Sequence, residues 1–232
     1  EAALVLHRDG TSYLMLGNEN LKMGKYSFIK SKVVHVPHFS LPNQPMETIK
    51  SMKELVAEAG IHDGMKIGCV GWKHFTSSLK EEENLLDIPE FIVEAIKQNN
   101  PTGVVCRASN IFLDAENGLR NRVNANEIAH YEFGAGLASS KVLKALNEVE
   151  PGKTEMEIAE KLSAFGQPTT VTTICAAGER FTNAVVFPRN KQIQKGDRMS
   201  ITFGLRGGLT SRAAYVANKK ADLPKNEQDY IE

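Results

Sequence analysis

Residues 192–216, QIQKGDRMSITFGLRGGLTSRAAYV, decide how the whole chain is read. Lys195-Gly196-Asp197 is a turn, because glycine takes backbone angles closed to other residues and aspartate hydrogen-bonds to nearby amides. Beyond it Met199, Ile201 and Phe203 alternate with Arg198, Ser200 and Thr202, the period of a half-buried strand. Gly204, Gly207 and Gly208 let the chain reverse, and Leu209 to Val216 reads as the returning strand. The unit is a β-hairpin.

Upstream of it, Val171 to Ala176 predicts a strand, and Ala177-Gly178-Glu179 a turn that leads toward the hairpin. Asn124-Ala-Asn-Glu127 is a capping box that opens a long helix. Along it Ile128, Tyr131, Ala135, Ala138, Val142, Leu146 and Val149 step by three and four on one face. Pro151-Gly152 ends it, and Thr154-Glu-Met-Glu157 is a second capping box, followed by Ile158, Ala159 and Leu162 as inward positions.

The part before Asn121 alternates strands and helices, the pattern of an α/β domain. Ala2 to Leu6 and Ser12 to Leu16 flank Asp9-Gly10, a strong hairpin signal. Val33, Val34 and Val36 mark another strand, and Pro37, Pro42 and Pro45 a loop. A helix is expected from near Pro45, with Ile49, Met52, Leu55, Val56 and Ala59 inward and Gly60 as its stop. Lys66 to Gly71 reads as a strand and Pro89 to Gln98 as an amphipathic helix with Phe91, Ile92, Ala95 and Ile96 on one side. Val104 to Arg107 and Ile111 to Leu113 read as strands.

The chain has 232 residues, 41% hydrophobic and 24% charged, enough for one or two cores. Formal net charge is zero and no Lys/Arg block stands out, so neither nucleic acid nor a membrane surface is expected as a partner. No apolar run approaches the roughly 20 residues of a membrane span. Cys69, Cys106 and Cys175 are odd in number and far apart, which predicts buried free thiols and a cytoplasmic, reducing setting. His35 and His38 are the one close histidine pair, and two histidines fall short of a zinc site's three or four ligands. Glu81, Glu82 and Glu83 read as a solvated acidic run.

The hairpin resembles the first metal-bearing hairpin of the pita-bread hydrolases: creatinase, prolidase, Xaa-Pro aminopeptidase and methionine aminopeptidase. In that family Lys-Gly-Asp is followed by Ile-Asp-x-Gly and, after a Gly-rich reversal, by Ser-Asp-x-x-Arg-Thr. Arg122-Val-Asn-Ala-Asn-Glu-Ile128, Glu150-Pro-Gly-Lys-Thr-Glu155 and Gly178-Glu-Arg180 resemble earlier pieces of the same domain in the same order. The resemblance implies a creatinase-like α/β N-terminal domain at 1–121 and the first half of an α+β pita-bread domain at 122–232. It also implies that both ends are truncated: a helix and strand would precede Glu1, and a second half carrying one His and two Glu ligands would follow Glu232.

In the family two aspartates of this hairpin hold a pair of divalent metals. Thr202 stands at the first of those positions, and Arg212, or Ala213 without a one-residue gap, at the second. The resemblance places the family's substrate-contacting or general acid/base His at Val185. A valine transfers no proton, a threonine hydroxyl is a poor bridge between hard cations, and a guanidinium repels them. No metal and no cofactor are therefore expected, and no catalytic residue is assigned. Arg180, Asn183, Ser211 and Arg212 are the residues expected to gather in the former cleft as ligand-binding groups, although Arg180 could equally neutralise a nearby Glu.

Two functions follow from these readings. One is a hydrolase of C–N bonds by descent, acting on a small amide or a proline-containing peptide. The other is a catalytically inactive relative that binds a ligand or a protein. The resemblance also implies a homodimer.

Overall fold

The computed structural model describes residues 2–46, 50–79, 82–163, 165–183 and 186–230, which form two compact units, 1–122 and 123–232. In the first unit β1 (Ala2–Leu6) and β2 (Ser12–Leu16) pair antiparallel through the predicted Asp-Gly turn, where Gly10 has φ 88°. Asp9 fixes the turn by accepting from the Thr11 amide at 2.8 Å. A 3₁₀ segment, Leu21–Tyr26, then carries the chain over to β3 (Lys32–His35), which lies parallel to β2. A second, two-stranded parallel sheet joins β4 (Lys66–Cys69) to β5 (Val104–Arg107).

Two helices, α1 (Met52–Glu58) and α2 (Glu90–Asn99), pack with both sheets around one core. Met15, Val34, Val36, Leu55, Ala95 and Ile96 are buried in it. The first helix begins at Met52, later than the Pro45 start read from sequence. Ser51 accepts from the Glu54 amide while Glu54 accepts from the Ser51 amide, so the cap sits at Ser51. Ile49 lies outside the described residues. Gly60 ends the helix with φ 81°, as expected of a left-handed stop. In α2 Val93 is buried, whereas Phe91 is 44% exposed and meets Phe39 edge to face. Ile111–Leu113, read as a strand, belongs to one helical turn, α3 (Asn110–Leu113). Three apolar residues carry no period, so either conformation suits them.

In the second unit α4 (Ala125–Asn147) opens at the Asn124/Glu127 capping box and α5 (Glu155–Ala159) at the Thr154/Glu157 box. The sheet has order β6-β7-β8, with β6 (Ile174–Ala177), β7 (Arg198–Leu205) and β8 (Gly208–Tyr215) all antiparallel. The strand read as beginning at Val171 begins at Ile174. Met199, Ile201, Phe203 and Leu205 point to one face and are 0–3% exposed against Ala138, Val142 and Ala145 of α4. The predicted helix stripe holds for its second half only. Ile128 and Tyr131 are 47% and 43% exposed, since the helix's first turns pass beyond the core cluster.

A glycine seam sets how closely α4 approaches the hairpin. A Cβ on Gly134 would stand 2.5 Å from the Arg206 carbonyl oxygen, and one on Gly208 2.3 Å from the Ala135 nitrogen. Both contacts are with backbone, which has no rotamer with which to yield.

Candidate functional site

The Lys195-Gly196-Asp197 turn is held from both sides. Gly196 has φ 89°, its amide donates to the Val216 carbonyl at 2.7 Å, and Asp197 accepts from the Gln194 amide at 2.9 Å. Lys191 Nζ lies 3.4 Å from the same carboxylate. Asp197 is thus a turn-fixing residue. Its turn launches β7, and the two-residue reversal at Arg206-Gly207, with Gly207 at φ 94°, fixes the register of β8.

That register places Thr202 directly opposite Ser211, with the two hydroxyl oxygens 2.7 Å apart. One hydrogen bond joins them, with either hydroxyl able to donate and the other accepting. Cross-strand partners share a face, so the floor around them follows from the pairing. Ile174 flanks Thr202 on β6, and Ser200 lies between Ala176 and Ala213. The Ser200 hydroxyl is buried and finds no hydrogen-bond partner among the described residues. The six positions Ile174, Ala176, Ser200, Thr202, Ser211 and Ala213 carry no ionisable group.

Arg212 is not one of them. It pairs with Ile201, which is fully buried against α4, so it belongs to the opposite face of the sheet. Thr210, two residues earlier, confirms the parity: it pairs with Phe203, and its hydroxyl lies 3.1 Å from that of Ser139 on α4. The exposed Arg212 guanidinium donates to the Ser211 carbonyl at 2.7 Å. The expectation that Arg212 shares a cleft with Thr202 is corrected by the two-residue period of the strand. Ala213 is the residue on the Thr202 side.

Arg180 is likewise committed elsewhere. Its Nε donates to both carboxylate oxygens of Glu155 at 3.2 Å, and its Nη2 to the Phe187 carbonyl at 2.6 Å. Glu155 is 0% exposed and also accepts from the Ala177 amide at 2.8 Å and the Arg189 amide at 3.0 Å. One buried carboxylate therefore ties the end of β6 to the 3₁₀ turn Gly178–Asn183 and to the chain entering the hairpin. Arg180 is the cation that makes this burial tolerable, and it is not free to hold a ligand. The side chain of Asn183, and all of Val185, lie outside the described residues.

Sequence reasoning missed Glu155. It was legible only as the first helical residue of a capping box, a position where acids are ordinarily exposed near the helix dipole. Beside it Cys175 donates to the Glu155 carbonyl at 3.4 Å, and burial, reinforced by that carboxylate, pushes its thiol up to about 12. Burial also raises Cys69 to about 11, with smaller contributions from Cys106 and Asp87. All three cysteines are free and buried.

Among the described residues no group of three or more His, Cys, Asp or Glu converges as a metal site. His35 Nε2 lies 2.7 Å from the Asn18 side-chain oxygen, and His38 Nδ1 is buried with no hydrogen-bond partner among the described residues. The six positions around Thr202 offer hydroxyls and no carboxylate oxygen, the donor that hard divalent cations favour. No described helix is long and apolar enough to cross a membrane.

No protein-family model and no curated protein matches the chain. Solved structures do. A prolidase from Thermococcus sibiricus superposes with TM-score 0.68 at 15% identity, covering 100% of this chain and 57% of its own. An Xaa-Pro dipeptidase from Bacillus anthracis gives 0.65 at 16% identity, again covering 100% of this chain and 57% of its own. A prolidase from Pyrococcus furiosus gives 0.65 at 19%, covering 94% and 57%. The chain therefore has the mixed α/β fold of prolidase and Xaa-Pro dipeptidase structures, as the hairpin suggested. It spans little more than half the length of those relatives.

Proposed function

We propose that this chain is the front portion of a pita-bread protein descended from C–N hydrolases, and that it serves as a binding module without the dinuclear metal chemistry. Units 1–122 and 123–232 then correspond to a creatinase-like N-terminal domain and the first pita-bread half-domain. One observation carries the proposal: Thr202 and Ser211, hydrogen-bonded to each other at 2.7 Å, stand among neighbouring positions (Ile174, Ala176, Ser200 and Ala213) that carry no carboxylate. A dinuclear hydrolase uses carboxylates to bridge its two cations and make a hydroxide available near neutral pH. Two neutral hydroxyls hydrogen-bonded to each other supply no negative charge with which to hold hard cations. The scaffold that positions them is intact, with Asp197 holding the turn and Glu155 holding the approach to it.

The second reading, a hydrolase acting on a small amide or a proline-containing peptide, draws support from the prolidase-type fold over the whole chain. One experiment separates the two. The full-length protein is purified, its metal content measured, and turnover of Xaa-Pro dipeptides and creatine followed with and without added Mn²⁺ or Co²⁺. The binding-module reading expects no bound stoichiometric metal and no turnover above the uncatalysed rate. Metal-dependent cleavage would overturn it in favour of the hydrolase.

A further inference from the structure

The first unit carries a surface where exposed apolar side chains and lysines gather. Between Glu19 and Glu47 the chain contains four lysines and no acidic residue, although the protein as a whole is neutral. In this stretch the 3₁₀ segment Leu21–Tyr26 and the loop to β3 enclose a cavity of about 520 Å³. Leu21, Ile29 and Val33 give it an apolar floor, and Lys22, Lys25 and Lys30 stand on its rim. Among the described residues none of these three lysines has an acidic partner.

The apolar floor continues onto the sheet. Val33 pairs with Leu14, and Leu14 with Leu4, so the three share the face turned away from Met15 and Val34 of the core. Leu4 and Val33 are 48% and 44% exposed. Around the cavity Met23, Tyr26, Phe28 and Ile29 are all more than half exposed. Large side chains left in water in one region, ringed by charge of one sign, mark an interaction surface.

Its chemistry selects the partner. A concave apolar trough with a lysine rim complements a rod with one apolar stripe and carboxylates beside it, the helix-in-groove mode. A bilayer is flat and meets protruding tips, so the concavity favours a helix over a lipid surface. We propose that this face of the first unit is the docking site for an acidic amphipathic helix of a partner protein. The inference does not rest on what the hairpin of the second unit does.

The test uses the whole 232-residue chain and a fluorescent 18-residue peptide with leucines at i, i+3, i+4 and i+7 and glutamates elsewhere. Saturable anisotropy binding that weakens with salt is expected. An isomeric peptide with its leucines dispersed, and a striped peptide with lysine for glutamate, should bind at least tenfold more weakly. The triple variant K22E/K25E/K30E and the floor variant Val33→Asp should each lose at least tenfold, with circular dichroism unchanged. If Val33→Asp loses its fold, the triple variant, whose side chains are exposed, decides alone. Absence of binding by the striped glutamate peptide, equal binding by the lysine peptide, or insensitivity to K22E/K25E/K30E would overturn the proposal. Binding to phosphatidylserine vesicles without binding to the peptide would also overturn it, and would make the face a lipid surface.

Discussion

Replacing Glu155 by Ala tests the clamp on which the second unit's loop depends. The carboxylate is 0% exposed and accepts from Arg180 Nε, the Ala177 amide and the Arg189 amide. Its removal strands a guanidinium whose side chain is only 16% exposed, together with two backbone donors. Breaking one side of a buried pair costs about 3–5 kcal/mol, because the remaining charge keeps its desolvation cost and loses its compensation. The hydrogen bonds alone, at roughly 1.5–3 kcal/mol each to a charged acceptor, are ample to reach that range. Urea unfolding followed by circular dichroism should show the loss, with hydrogen exchange accelerated in β6 and β7 and unchanged in β1–β3. A double variant, Glu155→Leu with Arg180→Met, should recover part of the loss, since it removes the stranded charge. A loss below about 1 kcal/mol for Glu155→Ala would refute the reasoning, and so would a double variant no better than the single one.

Other consequences can be measured in the same protein. Thr202→Asp with Ala213→Asp sets two carboxylates on one face of the sheet and should create divalent-cation binding visible by calorimetry with Mn²⁺. Thr202→Asp with Arg212→Asp should not, because residue 212 lies on the α4 side. Gly→Ala within a helix ordinarily stabilises by about 1 kcal/mol, but Gly134→Ala should lower the unfolding midpoint, since its Cβ would meet the Arg206 carbonyl at 2.5 Å. Cys175 keeps its proton in the folded state up to about pH 12, whereas the unfolded thiol loses it near its ordinary value of 9.0. Stability is therefore full below pH 9 and falls above it by about 1.4 kcal/mol per pH unit from this group until pH 12, a slope that Cys175→Ala should flatten. The native thiol should also resist iodoacetamide at pH 8 and react once unfolded.

The parts legible in the sequence were local. Capping boxes at Asn124 and Thr154 are read from residues three apart, the first hairpin strand from the alternation over 198–203, and the return strand, read as Leu209 to Val216 and observed at Gly208–Tyr215, from the glycines before it. What escaped the sequence depended on partners distant along the chain. Arg180 looked available because Glu155 is 25 residues away, and nothing local says that a capping-box acid is buried. Arg212 and Ala213 could not be told apart until the reversal fixed which of them faces Thr202, since a shift of one residue exchanges the two faces. The neutral pair itself was half visible: Thr202 and Ser211 could be named, but not that they would stand opposite each other and share a hydrogen bond.

The seam at Gly134 and Gly208 has an evolutionary corollary. The tight fit that locks hairpin to helix lies on the sheet's α4 side, whereas Thr202, Ser211 and Ala213 occupy the reverse side. Residues that pack against α4 and residues of the reverse face thus alternate along the same two strands. Substitutions on the reverse face can accumulate while the packing on the α4 side persists.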